Sequence, residues 1–225
     1  MSTHSLYARG KAMIRHKKDD RDQVMAQTRQ KLLEAAATEF AREGFKGANV
    51  NRIAKTAGFA IGTFYNYFPS KRELMQAFIE QTGQQHVDYI VQQVMQEEDP
   101  SRRLQAFFLA GFGFVEANFT PALAIFMALN GPDQDFKLRV SLAYAPLFAV
   151  LNQEILAPGI EQGAFRVPNI EATTGLLMLI YLGTSSQVDP EGKHWVDPIQ
   201  VADFVLRALR QGGNRQWITD RWPAP

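Results

Sequence analysis

Apolar side chains recur at helical spacing along most of this chain, and the breaks in that spacing mark out about nine helices. Over residues 22–42, Thr28, Leu32, Ala36 and Phe40 fall four apart, Leu33 and Ala37 widen the stripe, and Gly44 stops it. Val50, Ile53, Ala54 and Ala57 then put four apolar groups on one helix face and leave Asn51, Arg52 and Lys55 in water. Asn49 is placed to cap this helix, because its side-chain oxygen can accept from a free backbone N–H. Gly58 tolerates the positive φ of a helix stop, and residues 60–67 make a second helix too short to be stable alone. Ser70 and Glu73 have capping-box spacing and open a fourth helix, whose stripe runs through Leu74, Phe78, Val87, Val91 and Val94 to about Glu97.

Beyond it the pattern predicts helices over 102–118, from Pro121 to about Asn130, and over 133–156, 170–186 and 197–210. Pro146 lies inside the third of these; it lacks an N–H and clashes with the preceding turn, so a kink is expected at residues 142–146. Residues 157–169, APGIEQGAFRVPN, read as a loop. Glycines and prolines in 212–225 argue against a long helix, although Trp217 and Trp222 can dock on the body. The fold class is therefore all-α, a small three-helix domain followed by a larger helical one.

The two short helices around Gly58 have the proportions of a helix-turn-helix, whose second helix enters a DNA major groove. Phe64, Tyr67 and Phe68 are directed to a small core, which leaves Ile61, Gly62, Thr63, Tyr65 and Asn66 to face DNA. Charge agrees with this. Residues 1–80 hold 14 Lys and Arg against 8 Asp and Glu, a net of +6, while the remainder holds 10 against 15, a net of −5. A basic first third is the footprint of a nucleic-acid binder, and the acidic remainder would repel a phosphate backbone. Residues 1–18 carry Arg9, Lys11, Arg15, Lys17 and Lys18 with no acidic residue, ahead of any clear helical periodicity. They read either as a solvated leader or as an arm that follows the DNA backbone or enters the minor groove. Arg52, with Lys55, Arg29 and Lys46, is a candidate for backbone contacts or for a solvated helix face.

At these residues the chain resembles the tetracycline-repressor (TetR) family of bacterial transcriptional regulators. The resemblance is carried by IAKTAGFAIGTFYNYFPSKREL at 53–74 and TRQKLLEAAATEFAREGF at 28–45, about a fifth of the chain. It implies that Thr63 and Tyr65 bond phosphate oxygens and that Lys71 does likewise, aided by the dipole of the helix it opens. It implies a close backbone approach at Gly62, and it keeps Asn49 where relatives commonly cap with threonine. Ala60 and Ile61 depart from the family pattern of a serine followed by a basic or polar residue. The cap hydroxyl is missing, and Ile61 can pack on a thymine methyl but cannot bond a base edge, so a T-containing operator step is expected beneath it.

Charge and the resemblance together give a domain order of a basic arm at 1–21, a helix-turn-helix domain at 22–70 and, as the resemblance implies, a ligand-binding and dimerisation domain at 71–225. Its dimer interface would lie on the last two helices, through Leu176, Leu179, Ile180, Gly183, Val201, Phe204 and Val205. The expected function is a homodimeric repressor of a palindromic operator, released by a mostly apolar small molecule. An activator or global regulator without a ligand, or a helical lipid- or drug-binding protein that kept the helix-turn-helix as scaffold, are the alternatives.

Eight of the sixteen phenylalanines lie between residues 104 and 151. Phe107, Phe112, Phe126 and Phe148 are candidate walls for an apolar or aromatic effector, and Glu116, Asn130, Arg139 and Tyr144 are candidate polar contacts that orient it. With no cysteine and four scattered histidines, no disulfide, metal or cofactor site is expected. No phosphate-cradling glycine loop, HExxH or nucleophile elbow is present, so catalysis is not expected. The amino terminus lacks a signal-peptide core and the most apolar windows fall short of a spanning helix, which predicts a cytoplasmic protein without a membrane partner.

Overall fold

A computed structural model of the chain describes residues 3–189 and 191–211, with side chains for residues 20–189 and 191–210. In order, the helices are α1 (Thr3–Gly47), α2 (Val50–Thr56), α3 (Ile61–Tyr67), α4 (Lys71–Val94), α5 (Pro100–Ala117), α6 (Phe119–Asn130) and α7 (Gln134–Ala149). A π-helical stretch (Val150–Leu156), α8 (Ala157–Glu161), α9 (Ile170–Ser185) and α10 (Pro198–Gln211) follow. Among the described residues there is no strand, only an isolated bridge between Val188 and His194. Since α7, the π stretch and α8 form one 28-residue run, Gln134–Glu161, the described helical runs number nine, as expected. The expectation for Trp217 and Trp222 lies outside the described residues.

The chain divides into two compact units, Met1–Phe78 and Ile79–Pro225. The division falls inside α4, eight residues beyond the start expected for the second domain, because the first turns of α4 still bury Leu74, Met75 and Phe78. Phe78 meets Phe40 of α1 at 6.1 Å between ring centroids, and Leu32, Ala36, Ile53, Ala54, Phe64 and Phe68 complete this small core. In the second unit α5 is central, packed against α10, α9, α6, α8 and the π stretch. It buries Leu104, Phe107, Phe108, Phe112 and Val115.

Local chemistry explains most helix ends. Asn49 accepts from the N–H groups of Asn51 and Arg52 to start α2, and Asp99, Asp133 and Asn169 do the same for α5, α7 and α9. Gly58, at φ +82°, lets its own N–H reach Lys55 O (3.0 Å) and the Phe59 N–H reach Ala54 O (2.9 Å). These two bonds close α2 and set the turn into α3.

Three expectations are corrected. The basic leader is not ahead of the first helix: α1 begins at Thr3, and Gly44 (φ 65°) interrupts it near its end. Residues 3–21 contain no proline and many good helix formers, so propensity continues the helix where apolar periodicity is absent. Pro146 does not break α7. Pro146 and Leu142, whose carbonyl loses its helical partner to the proline, are both exposed, so water can take the bond. The irregularity appears instead as the wider turns of Val150–Leu156. Residues 157–161 are helical rather than loop: the Glu154 carbonyl, four residues before Pro158, accepts from Arg103 (2.8 Å), and Gly159 is buried against Phe165. The run Gln134–Glu161 has the length and composition to cross a membrane, which the sequence windows did not reveal. Here it packs against α5, α6 and α9.

Candidate nucleic-acid interface and buried cavity

Helix α3 is held by one side chain. Phe64 is its only buried residue, 0% exposed, and it packs on Phe68 and edge-on against Tyr65 at 5.2 Å. Fixing Phe64 inward turns Ile61, Gly62, Tyr65 and Asn66 to the surface, as the sequence predicts, while Thr63, expected outward, and Tyr67, expected in the core, are both half-buried. Ala60 provides no side-chain bond to the start of α3, so the missing cap is real.

Two of the expected DNA contacts are engaged within the unit. Lys71 donates to the carbonyls of Ala48 (2.8 Å) and Lys46 (3.2 Å) and lies 4.8 Å from the centre of the Phe45 ring. It therefore clamps the start of α4 to the α1–α2 connection, with two of its three donors already used. Arg52 is paired with Glu39 at 2.6 Å and also reaches Glu43 and Gly47 O. Glu39 is 5% exposed, although it sits on a helix otherwise read as apolar inside and polar outside. Its carboxylate accepts from the Asn49 N–H (2.8 Å), from Arg52 and from Arg42 (2.7 Å). Burial alone would raise its pKa, but the Arg52 bond, the Asn49 N–H and the two positive charges together hold it below the ordinary value. The same pairing raises the pKa of Arg52.

Because the Glu39 carboxyl titrates low in the folded chain, its stabilisation is complete at neutral pH and is lost only as pH falls through that depressed value. Glu39→Gln should remove about 1–2 kcal/mol of first-unit stability at pH 7, allowing for the exposed side of Arg52, and should flatten the acid limb below about pH 4. Thermal melts of both proteins across that range check this; parallel curves would refute it.

The second unit contains a small, partly enclosed cavity of about 10 Å³, room for no more than one water molecule. Its walls are Val115 of α5, Ala122, Ile125, Phe126 and Leu129 of α6, Val140 of α7 and Leu182 of α9. His86, Tyr144, Tyr181 and Ser185 add polar atoms. His86 Nδ1 lies 3.1 Å from the Tyr144 hydroxyl, and Nε2 lies 3.2 Å from Gly111 O and 2.9 Å from the Tyr181 hydroxyl. Burial lowers the His86 pKa to about 4, against a smaller opposing effect of the Gly111 bond, so the imidazole is neutral. Burial raises both tyrosines above the ordinary phenol value.

Of the eight residues expected at a ligand site, Phe126 and Tyr144 line this cavity. Phe107 and Phe112 lie behind it, packed on the Tyr181 ring. Phe148 is exposed on α7, Asn130 is exposed with its amide on Phe126 O, and Arg139 pairs with Glu80 and Asp135. Glu116 is at the surface, 4.0 Å from His194. None of these six residues lines the cavity. Aromatic spacing places a side chain on a core-facing stripe, but cannot say which core positions border a void. His86 and Tyr181 line the cavity and were not among the expected residues. Their signal is a polar-tipped ring within an apolar stripe, as with Tyr181 among Leu177, Met178 and Ser185.

The expected partner-facing residues divide in two. Leu176, Leu179, Gly183 and Phe204 are exposed and Ile180 is half-buried. Val201 and Val205 are instead buried in the unit's own core, because the inward stripe of α10 is Val201, Ala202, Val205, Leu206 and Leu209, packed on α5.

Residues 32–78 match the sequence profile of the bacterial regulatory proteins, tetR family. The HTH-type transcriptional repressor KstR2 of Mycobacterium tuberculosis (strain ATCC 25618 / H37Rv) is 30% identical over 152 residues, covering 61% of this chain and 69% of KstR2. Among solved structures, the transcriptional regulator FadR from Bacillus subtilis in complex with stearoyl-CoA gives a TM-score of 0.69 at 18% identity, covering 82% of this chain and 99% of FadR. AibR in complex with isovaleryl coenzyme A and operator DNA gives 0.66 at 16% identity, covering 83% of this chain and 100% of AibR. At these identities the two structural likenesses establish the fold.

Proposed function

Because the chain belongs to the tetR family of bacterial regulatory proteins, we propose that it is a cytoplasmic repressor that binds a palindromic operator as a homodimer and is released by an acyl thioester. It acts by binding rather than catalysis. Within the first unit, the basic domain of the pair, α3 presents Ile61, Gly62, Tyr65 and Asn66 to the major groove, and Thr63 and Tyr65 bond phosphates. Asn49 is exposed at the start of α2 and adds a further polar contact. Arg52 and Lys71 shape this surface from below. The second unit binds the effector and carries the dimer face on α9 and α10, through Leu176, Leu179, Ile180, Gly183 and Phe204.

The observation that carries the effector reading is the partly enclosed, mainly aliphatic cavity with polar atoms from only four residues. It suits a ligand with an apolar body and one polar point. FadR and AibR were both solved with acyl coenzyme A molecules; their acyl part, an apolar chain ending at one carbonyl, has that character, and the charged coenzyme A part would have to stay outside the cavity. A cavity of about 10 Å³ cannot hold an acyl chain, so occupancy requires its walls to part. A state with parted walls has differential affinity for the ligand, which is what couples binding to operator release.

Selection of random duplexes with purified full-length protein should recover a palindrome. Adding hexanoyl-, dodecanoyl- or octadecanoyl-CoA should then weaken the complex by about 5–150-fold for at least one chain length, read by fluorescence anisotropy. Enrichment of no sequence would reject the operator reading. An affinity indifferent to all three thioesters would reject the effector reading.

A further inference from the structure

Four polar groups meet at one end of the apolar cavity, and their hydrogen-bond valences do not close. The Gly111 carbonyl can only accept, and it faces His86 Nε2 at 3.2 Å, so Nε2 carries the imidazole proton. The other tautomer would aim two lone pairs at each other. Nδ1 is then an acceptor, and the Tyr144 hydroxyl at 3.1 Å donates to it. The Tyr181 hydroxyl lies 2.9 Å from the same Nε2, where it can only accept a share of the one N–H. The hydrogen of Tyr181 itself is left without a protein acceptor among the described residues, on a side chain 1% exposed that borders the cavity. Gly111 is what admits the ring: a Cβ there would stand 2.6 Å from the Tyr181 hydroxyl oxygen.

An unmatched buried donor is costly, and a site that keeps one discriminates strongly for a ligand that supplies the acceptor. No lysine or arginine lines the cavity, so an anionic oxygen would be buried uncompensated. Resting on the effector reading above, we propose that the Tyr181 hydroxyl donates to an uncharged acceptor oxygen of the effector, the carbonyl of an acyl thioester. The cavity thereby rejects both the free carboxylate and a chain that lacks the carbonyl. Both tyrosines are held protonated by burial, and His86 stays neutral, so the donor is present at physiological pH.

Calorimetric titration of the full-length protein tests this with hexanoyl-, dodecanoyl- and octadecanoyl-CoA, each beside its S-alkyl thioether, in which a methylene replaces the carbonyl, and beside the free acid. The wild type should bind at least one thioester about tenfold more tightly than its thioether and its acid. Tyr181→Phe should bind thioester and thioether alike, at the thioether's wild-type affinity, with a melting temperature that is unchanged or raised. Tyr144→Phe, which strands His86 Nδ1, should melt lower. Equal wild-type affinity for thioester and thioether, tight binding of the free acid, or a clearly lower melting temperature for Tyr181→Phe would each overturn the proposal while leaving the effector reading intact. Binding of no thioester at any length would remove that reading and the anchor together. The wild-type comparison stands even if Tyr181→Phe fails to fold.

Discussion

Aspartate at both Leu179 and Phe204 should leave the protein folded but monomeric, with about a hundredfold or greater loss of operator affinity. These side chains are 69% and 60% exposed, so replacing them removes nothing from the core. Placed in a two-fold interface, however, each carboxylate meets its own mate or loses water without a partner. A monomer presents one recognition helix where a palindrome needs two, and the second half-site ceases to be an intramolecular contact. Sedimentation velocity and operator titration check the two halves of this expectation, and circular dichroism checks the fold. A variant that stays dimeric would move the interface elsewhere, with the exposed α7 residues Leu138 and Leu142 the next place to look. Val201→Asp is the contrasting case: it should unfold the second unit, since Val201 lies inside it.

Phe64→Ala should cost the first unit about 3–5 kcal/mol, a large part of a small domain's stability. Helix α3 has seven residues, far below what holds a helix in water alone, and Phe64 is its only buried anchor. Its loss should therefore release α3, abolish sequence-specific operator binding, and leave acyl thioester binding in the second unit within a few-fold. Phe64→Leu, which keeps most of the apolar volume, should cost only about 1–2 kcal/mol. Amide exchange across residues 60–68 reports α3 directly. Wild-type protection in Phe64→Ala would mean that α3 is held by something other than its buried ring.

Much of the first unit was legible because its determinants are local. The Asn49 cap, the Gly58 turn and the inward Phe64 each act over a few residues, which is the range that spacing and side-chain chemistry describe. The cavity was not legible in this way. His86 meets Tyr144 across 58 positions and Tyr181 across 95, and no periodicity within one helix encodes a meeting of three. The aromatic stripes of α5 to α7 marked core faces but gave no means of ranking Phe126, which borders the void, above Phe107, which does not.

Charged residues show the same boundary. Arg52 looked available for phosphate because a basic side chain on a helix face is ordinarily solvated, and the family resemblance implied the same role for Lys71. In the structure Arg52 pairs with the buried Glu39 of α1, and Lys71 bonds the carbonyls of Lys46 and Ala48 at the α1–α2 connection. On α9 both helix faces carry apolar groups, so hydropathy alone left inside and outside undecided there; on α10 packing on α5 turned Val201 and Val205 in and left Phe204 out among Asp203, Arg207 and Arg210. The sequence by itself determined the all-α class, the helix-turn-helix and the residues of α3 that face outward, since each follows from chemistry within a turn or two of helix. Only the tertiary structure decided which side chains enclose the cavity, which cations are already paired and which apolar face is exposed, because those depend on distances between helices that are remote in the chain.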